Sequence, residues 1–281
     1  MYRKECIIMR FGVCLPGNFT LPNSPAEGCV EQIRALVDGY RFIQEVGYDY
    51  IEFGVGNFAN FTEDDMAQAV DFYNKGLLKV EACNGFIPGT LPLVGDQVDL
   101  AAVRAYLELV LPRMASVGVK IVVFGSGGAR RIPEGVSAEQ AQKQLDEFMT
   151  LAEGIAREVG ITIVIEPLNH NECNTLLTVS EGAVAARRVN LPNLKLLADL
   201  YHTFVENEDP QVLIDNADII CHTHVAEPVN RTIPVDHPYL RACGEALRKA
   251  GYNARMSIEC RCEDFASEVV GALPIMKELF N

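Results

Sequence analysis

The chain has 281 residues, 49% of them hydrophobic and 22% charged, which is enough apolar material for a large core. Its formal net charge of −14 at pH 7 counts against nucleic acid as a partner, because gripping phosphates needs basic surface to displace counterions. No stretch approaches the roughly 20 apolar residues that span a bilayer, and Met1–Met9 shows no long apolar run with a small-residue cleavage site, so neither a membrane segment nor a secretory signal is expected.

A rhythm runs along the chain. Val46-Gly47, Val117-Gly118, Val159-Gly160 and Ala250-Gly251 each close an amphipathic run and precede an apolar one. Each reads as a helix stopped by a glycine that takes positive φ, followed by a buried strand. Completing the pattern predicts strands near 9–15, 48–55, 79–87, 119–125, 161–168, 194–200, 218–225 and 254–260. Helices follow near 27–46, 62–77, 99–117, 137–159, 178–190, 209–216, 238–250 and 265–280. Apolar strands alternating with helices mean a parallel sheet covered by helices. Eight such units fit a closed (β/α)8 TIM barrel, an α/β fold filling residues 1–281 as a single domain. No Gly-x-Gly-x-x-Gly follows the first strand, which argues against an open dinucleotide-binding sheet.

The active face of such a barrel lies at the C-terminal strand ends. Strand five ends in Glu166, strand six in Asp199, strand seven in His222-Thr-His224 and strand eight in Glu259. Buried carboxylates are costly without a counter-charge, and few basic residues stand nearby: Arg231, Arg255 and Arg261. One divalent cation is the economical partner. Three carboxylates and an imidazole suit Mn2+ first, with Mg2+, Co2+ or Zn2+ as substitutes. Salt bridges at the barrel rim are the structural alternative.

The set Ile165-Glu-Pro-Leu-Asn169, Asp199-x-x-His202, His222-x-His224 and Ile258-Glu259 resembles the xylose-isomerase-like TIM barrels over essentially the whole chain. That superfamily includes ketose 3-epimerases, hydroxypyruvate isomerase, inosose dehydratase and apurinic-site endonucleases. The resemblance implies metal ligands Glu166, Asp199, His224 and Glu259, the second histidine of the pair being the usual ligand and His222 keeping a supporting or core place. By likeness to the ketose 3-epimerases, Glu166 and Glu259 also exchange the substrate proton, while Glu172, His202 and Arg231 contact the sugar. The implied reaction is isomerisation or epimerisation of a small sugar through an enediolate. A metal chelating adjacent carbonyl and hydroxyl oxygens favours it, and the two glutamates work as acid and base.

Other readings stay open at this point. A lyase acting on a cyclic polyol or a C-glycoside would use the same metal and glutamates. An apurinic-site endonuclease needs further histidines from strands three and four, yet all five histidines lie between positions 170 and 237. A non-catalytic sugar-binding barrel predicts a missing ligand or base, and none is missing.

Weaker signals remain. Phe124-Gly-Ser-Gly-Gly-Ala-Arg-Arg131 reads either as an anion-cradling loop with Arg130 and Arg131 or as a solvated turn. Asn84 and Glu52, taken to follow strands three and two, are candidates for rim or sugar contacts, and His170 and His237 for the surface. Nine cysteines, an odd number in a chain this large, read as buried free thiols and point to a reducing cytoplasm. Cys260-Arg-Cys262 lacks the two-residue spacing of redox or zinc motifs. Related barrels often associate through their helices, but no helix here marks an interface between copies.

Overall fold

The computed structural model describes residues 9–281; the segment before them, with Cys6 and most of the stretch considered as a secretory signal, lies outside the described residues. Eight strands form one closed, all-parallel barrel in chain order. They are β1 (Arg10–Cys14), β2 (Tyr50–Gly54), β3 (Val80–Asn84), β4 (Ile121–Phe124), β5 (Thr162–Ile165), β6 (Leu194–Asp199), β7 (Ile220–Val225) and β8 (Arg255–Ile258). All eight expected strands are present, slightly shorter than predicted.

The helices that carry the chain back between strands are α1 (Glu31–Val46), α3 (Glu63–Asn74), α4 (Leu100–Ser116), α6 (Ala138–Glu158), α7 (Val179–Val189), α9 (Gln211–Asp215), α10 (Pro238–Lys249) and α11 (Phe265–Phe280). The four glycines read as helix stops all take positive φ: Gly47 at 100°, Gly118 at 99°, Gly160 at 71° and Gly251 at 70°. Three short helices of four to six residues lie outside the predicted ones: α2 (Val55–Asn60), α5 (Gly127–Arg130) and α8 (Leu200–Val205). Each is too short to carry a 3.6-residue pattern. Side-chain chemistry starts α8 instead, since Asp199 Oδ1 accepts the Tyr201 N–H at 2.7 Å.

Strand residues alternate between two environments. Ile51, Phe53, Met256 and Ile258 face outward into the large core between strands and helices. Tyr50, Ala82, Ile121, Val123, Val164 and Leu197 face inward and form a small apolar layer inside the barrel. Gly12 makes room for that layer: a β-carbon there would stand 2.2 Å from the Tyr50 ring. The N-terminal floor is polar. Glu81 sits where the β2–β3 register shifts and receives hydrogen bonds from Arg10 (2.5 and 2.6 Å) and Arg255 (2.6 Å). The small apolar layer thus separates a charged floor from the opposite mouth, where the polar strand ends collect.

Among the described residues, no helix is long and apolar enough to cross a membrane. The eight described cysteines are all free.

Candidate metal centre

Strand pairing sets the mouth of the barrel. Asp199 and His224 are register partners on β6 and β7. Glu166 and Glu259 extend β5 and β8 by one residue, their N–H groups donating to the carbonyls of Phe124 and Val225, each at 3.1 Å. One ligand atom from each of Glu166, Asp199, His224 and Glu259 lies within 4.8 Å of the others. His224 Nδ1 stands 3.1 Å from Glu166 Oε1 and 3.5 Å from Glu259 Oε2.

Electrostatics show how crowded the cluster is. Burial pushes the Glu166 carboxyl above its ordinary range, and the Glu259 charge adds to the push despite a hydrogen bond from His224. Burial acts the same way on Glu259, but there the His224 charge and hydrogen bond, then Arg231, outweigh it and bring the carboxyl down to about 2. Burial alone would lower the His224 imidazole. The surrounding Glu52 and Glu259 charges and the hydrogen bonds to Glu166 and Glu259 instead raise it well above the ordinary histidine value.

The cluster fits a divalent cation. Asp199 Oδ2 is buried and has no hydrogen-bond donor, its nearest basic nitrogens being His202 Nε2 at 3.6 Å and Arg231 at 3.9 Å. Desolvating a carboxylate oxygen without a partner is unfavourable by several kcal/mol, and a cation shared with Glu166, Glu259 and His224 removes that penalty. Of the other arginines considered, Arg255 is turned away to the floor and bonds Glu81. Arg261 meets Arg231 through its backbone, donating its N–H to the Arg231 carbonyl at 2.8 Å.

The three residues expected to meet the sugar gather at the same mouth. His202, on α8, is buried; its Nδ1 accepts from the Asn169 side-chain amide (2.7 Å) and backbone N–H (3.3 Å). That leaves Nε2 to carry the proton, without a partner, 3.6 Å from Asp199 Oδ2. Glu172 is partly exposed and accepts from Asn169 (3.1 Å) and Arg231 (3.0 Å). Arg231 takes a left-handed backbone, φ 56°. It donates to Glu259 Oε2 at 2.7 Å, and its guanidinium lies 4.9 Å from the Tyr201 ring centre. All seven residues singled out from the sequence therefore converge. Asn169 and Tyr201 were not singled out, although both stand inside the quoted motifs. Asn84 donates to Glu259 Oε1 at 3.1 Å and so steadies a carboxylate of the cluster.

Two expectations need correcting. Glu52 does not stand at the rim: it lies within β2, fully buried, and accepts from His222, His224 and Ser257. The glycine-rich run does not present a pair of free arginines: Arg131 is exposed, but Arg130 is not. Arg130 is fully buried and donates to the carbonyls of Phe124, Glu166 and Leu176, while Arg131 donates to the Glu172 carbonyl. Gly125 is required by packing, because a β-carbon on it would fall 2.2 Å from Glu166 Oε2. His222 is buried in the barrel below His224, as expected of a supporting group. His170 is exposed and bonds Glu206, and His237 caps α10 through the Tyr239 N–H.

A family model described as xylose isomerase-like TIM barrel matches residues 40–278. A 3-dehydro-D-guloside 4-epimerase of Escherichia coli (strain K12) is 25% identical over 201 residues, which cover 68% of this chain and 74% of the relative. A crystal structure of D-psicose 3-epimerase in the presence of D-fructose shares the fold with a TM-score of 0.80 at 18% identity, covering 96% of this chain and 99% of that one. The IOLI protein, crystallised with a bound zinc atom, shares it with a TM-score of 0.71 at 16% identity, covering 97% and 100%. Similar proteins thus include sugar epimerases and, by fold alone, a protein with bound zinc.

Proposed function

The chain belongs to the xylose isomerase-like TIM barrel family, and on that premise we propose that it is a divalent-metal-dependent isomerase or epimerase of a small sugar. The observation that carries this reading is the pair Glu166 and Glu259. They come from non-adjacent strands, share one cluster with Asp199 and His224, and have their proton affinities displaced in opposite directions. Two carboxyls driven apart in this way suit one acid and one base.

Glu166, Asp199, His224 and Glu259 would hold the cation, Mn2+ by preference for this mixed oxygen and nitrogen set. When bound, it supplies positive charge to adjacent carbonyl and hydroxyl oxygens of the sugar, acidifies the neighbouring C–H and favours the enediolate. One glutamate removes that proton and the other returns it. Return from the opposite face epimerises the carbon; return to the neighbouring carbon isomerises the sugar. Arg231 and Glu172 position hydroxyls at the outer side, and the free Nε2–H of His202 is set to donate to a substrate oxygen. The net charge of −14 and the absence of a histidine from strands three and four keep nucleic acid outside the proposal. We place the whole chain as one domain in the cytoplasm, supported by its free thiols, and leave association between copies to measurement.

The test is incubation of Mn2+-reconstituted protein with a panel of free and phosphorylated ketoses, 3-keto-glycosides included, resolved by chromatography. A new epimer or isomer supports the reading. A dehydrated or cleaved product would move the enzyme to the lyases of the same superfamily.

A further inference from the structure

Glu52 has no part in the proposed proton transfer, yet it is the most enclosed acid near the mouth, with no exposed surface. Its carboxylate accepts from Ser257 Oγ at 2.7 Å and from His222 Nε2 at 2.9 Å. His224 Nε2 stands 3.0 and 3.2 Å from its two oxygens. Behind it, the Tyr50 hydroxyl and Ser257 Oγ are 3.0 Å apart, which ties Ser257 to the barrel's inner layer.

These contacts settle how His224 can serve a metal. An ionised carboxylate only accepts, so the His224 nitrogen facing Glu52 must carry a proton. A metal-binding imidazole is neutral and has one N–H. With that proton committed at Nε2, the lone pair lies at Nδ1, the nitrogen that looks onto Glu166 and Glu259. Cys14, Glu52 and His224 also bring ligand atoms within 4.8 Å of one another. In that second trio the nitrogen that faces Glu52 is Nε2, already taken by the hydrogen bond, and one imidazole cannot present both faces as lone pairs. The tie to Glu52 therefore selects the four-residue cluster over the cysteine-containing one.

We infer that Glu52 is a positioning residue that fixes the tautomer and ring orientation of His224, so that Nδ1 is held as a metal ligand. The inference rests on the metal-binding reading above. Partners of this kind, standing behind a ligand, typically contribute about 10- to 100-fold in metal affinity.

Two measurements test it. In 15N-histidine-labelled wild-type protein loaded with Zn2+, long-range 1H–15N correlations report which nitrogen of His224 carries the proton. The expected result is Nε2–H with Nδ1 on the metal; the reverse assignment overturns the inference without any substitution. Calorimetric titration with Mn2+ then compares wild type with Glu52→Gln, with near-ultraviolet circular dichroism reporting native packing. A loss of about 10- to 100-fold in affinity in natively packed Glu52→Gln supports the role. Affinity within threefold of wild type overturns it while leaving the metal site standing. If wild type itself binds no metal, both this inference and the proposed function fall.

Discussion

Arg231 donates to Oε2 of Glu259 at 2.7 Å, tying a loop residue to the proposed acid–base pair. The same guanidinium reaches Glu172 at 3.0 Å, so one side chain orders both the inner and the outer part of the mouth. A hydrogen bond between charged groups contributes about 1.5–3 kcal/mol. Arg231→Met should therefore lower kcat/KM by about 10- to 100-fold. Arg231 also helps hold Glu259 near 2, so its loss lets Glu259 keep a proton to higher pH. The acid limb of the kcat/KM profile should shift upward, and a pH series on the variant checks this.

Gly125 gives a packing test of the cluster. A methyl group there meets Glu166 Oε2, whereas one on Gly128 meets only backbone at the ordinary distance of 3.5 Å. Gly125→Ala should weaken Mn2+ binding by about tenfold or more, as misplacing a ligand's surroundings does. Gly128→Ala should leave it within a factor of about two. Parallel calorimetric titrations of the two variants separate displacement of Glu166 from general loosening of the segment.

Metal binding should release a proton. The raised affinity of His224 for protons favours the imidazolium in the metal-free protein, whereas a metal ligand must be neutral. Calorimetry at pH 7 in buffers of different ionisation enthalpy should report about one proton released per Mn2+, and affinity should rise with pH. The same shift stabilises the metal-free protein at low pH. The folded value lies above the unfolded one of about 6.5, so this contribution to the metal-free protein is complete below about 6.5 and disappears as pH rises through the folded value. Thermal unfolding of the metal-free protein against pH, compared with His224→Asn, reads it.

The floor of the barrel predicts acid sensitivity. Burial would raise the Glu81 carboxyl, but the hydrogen bond from Arg10, then Arg255, outweighs it and brings the group down to about 2. Its stabilisation is present above the unfolded value of about 4.3 and is lost as pH falls through about 2. Glu81→Gln should lower stability at pH 7 by about 2 kcal/mol, since one partner of a mostly buried ion cluster is removed. The difference from wild type should shrink toward pH 2, as denaturant unfolding at several pH values will show.

The barrel was legible because its signals are local. A glycine stop, a short loop and an apolar strand recur at Gly47, Gly118, Gly160 and Gly251, and each needs only neighbouring residues to be recognised. The proposed ligands were legible for the same reason: Glu166, Asp199 and Glu259 each end an apolar run. Glu52 was not legible as an inward residue, because β2 is apolar on both faces and shows no alternation that marks one of them. Tyr50 and Glu52 share the period-two face that fills the barrel, and their partners Ser257 and His222 are about 200 and 170 positions away. Gly125 and Arg130 escaped because their reasons are long-range: a carboxylate on the next strand and carbonyls on three segments. The short helices α2, α5 and α8 have no periodicity to detect.

The most direct measurement of the proposed chemistry is solvent exchange. Mn2+-loaded protein would be incubated in heavy water with the ketose panel and followed by NMR, beside Glu166→Gln and Glu259→Gln, each first shown to be folded. The account expects deuterium at the carbon beside the carbonyl of at least one sugar, with turnover falling by about 10²- to 10⁴-fold in either variant. Wild-type protein that binds metal yet exchanges no proton in any of these sugars, or variants that exchange as fast as wild type, would contradict it.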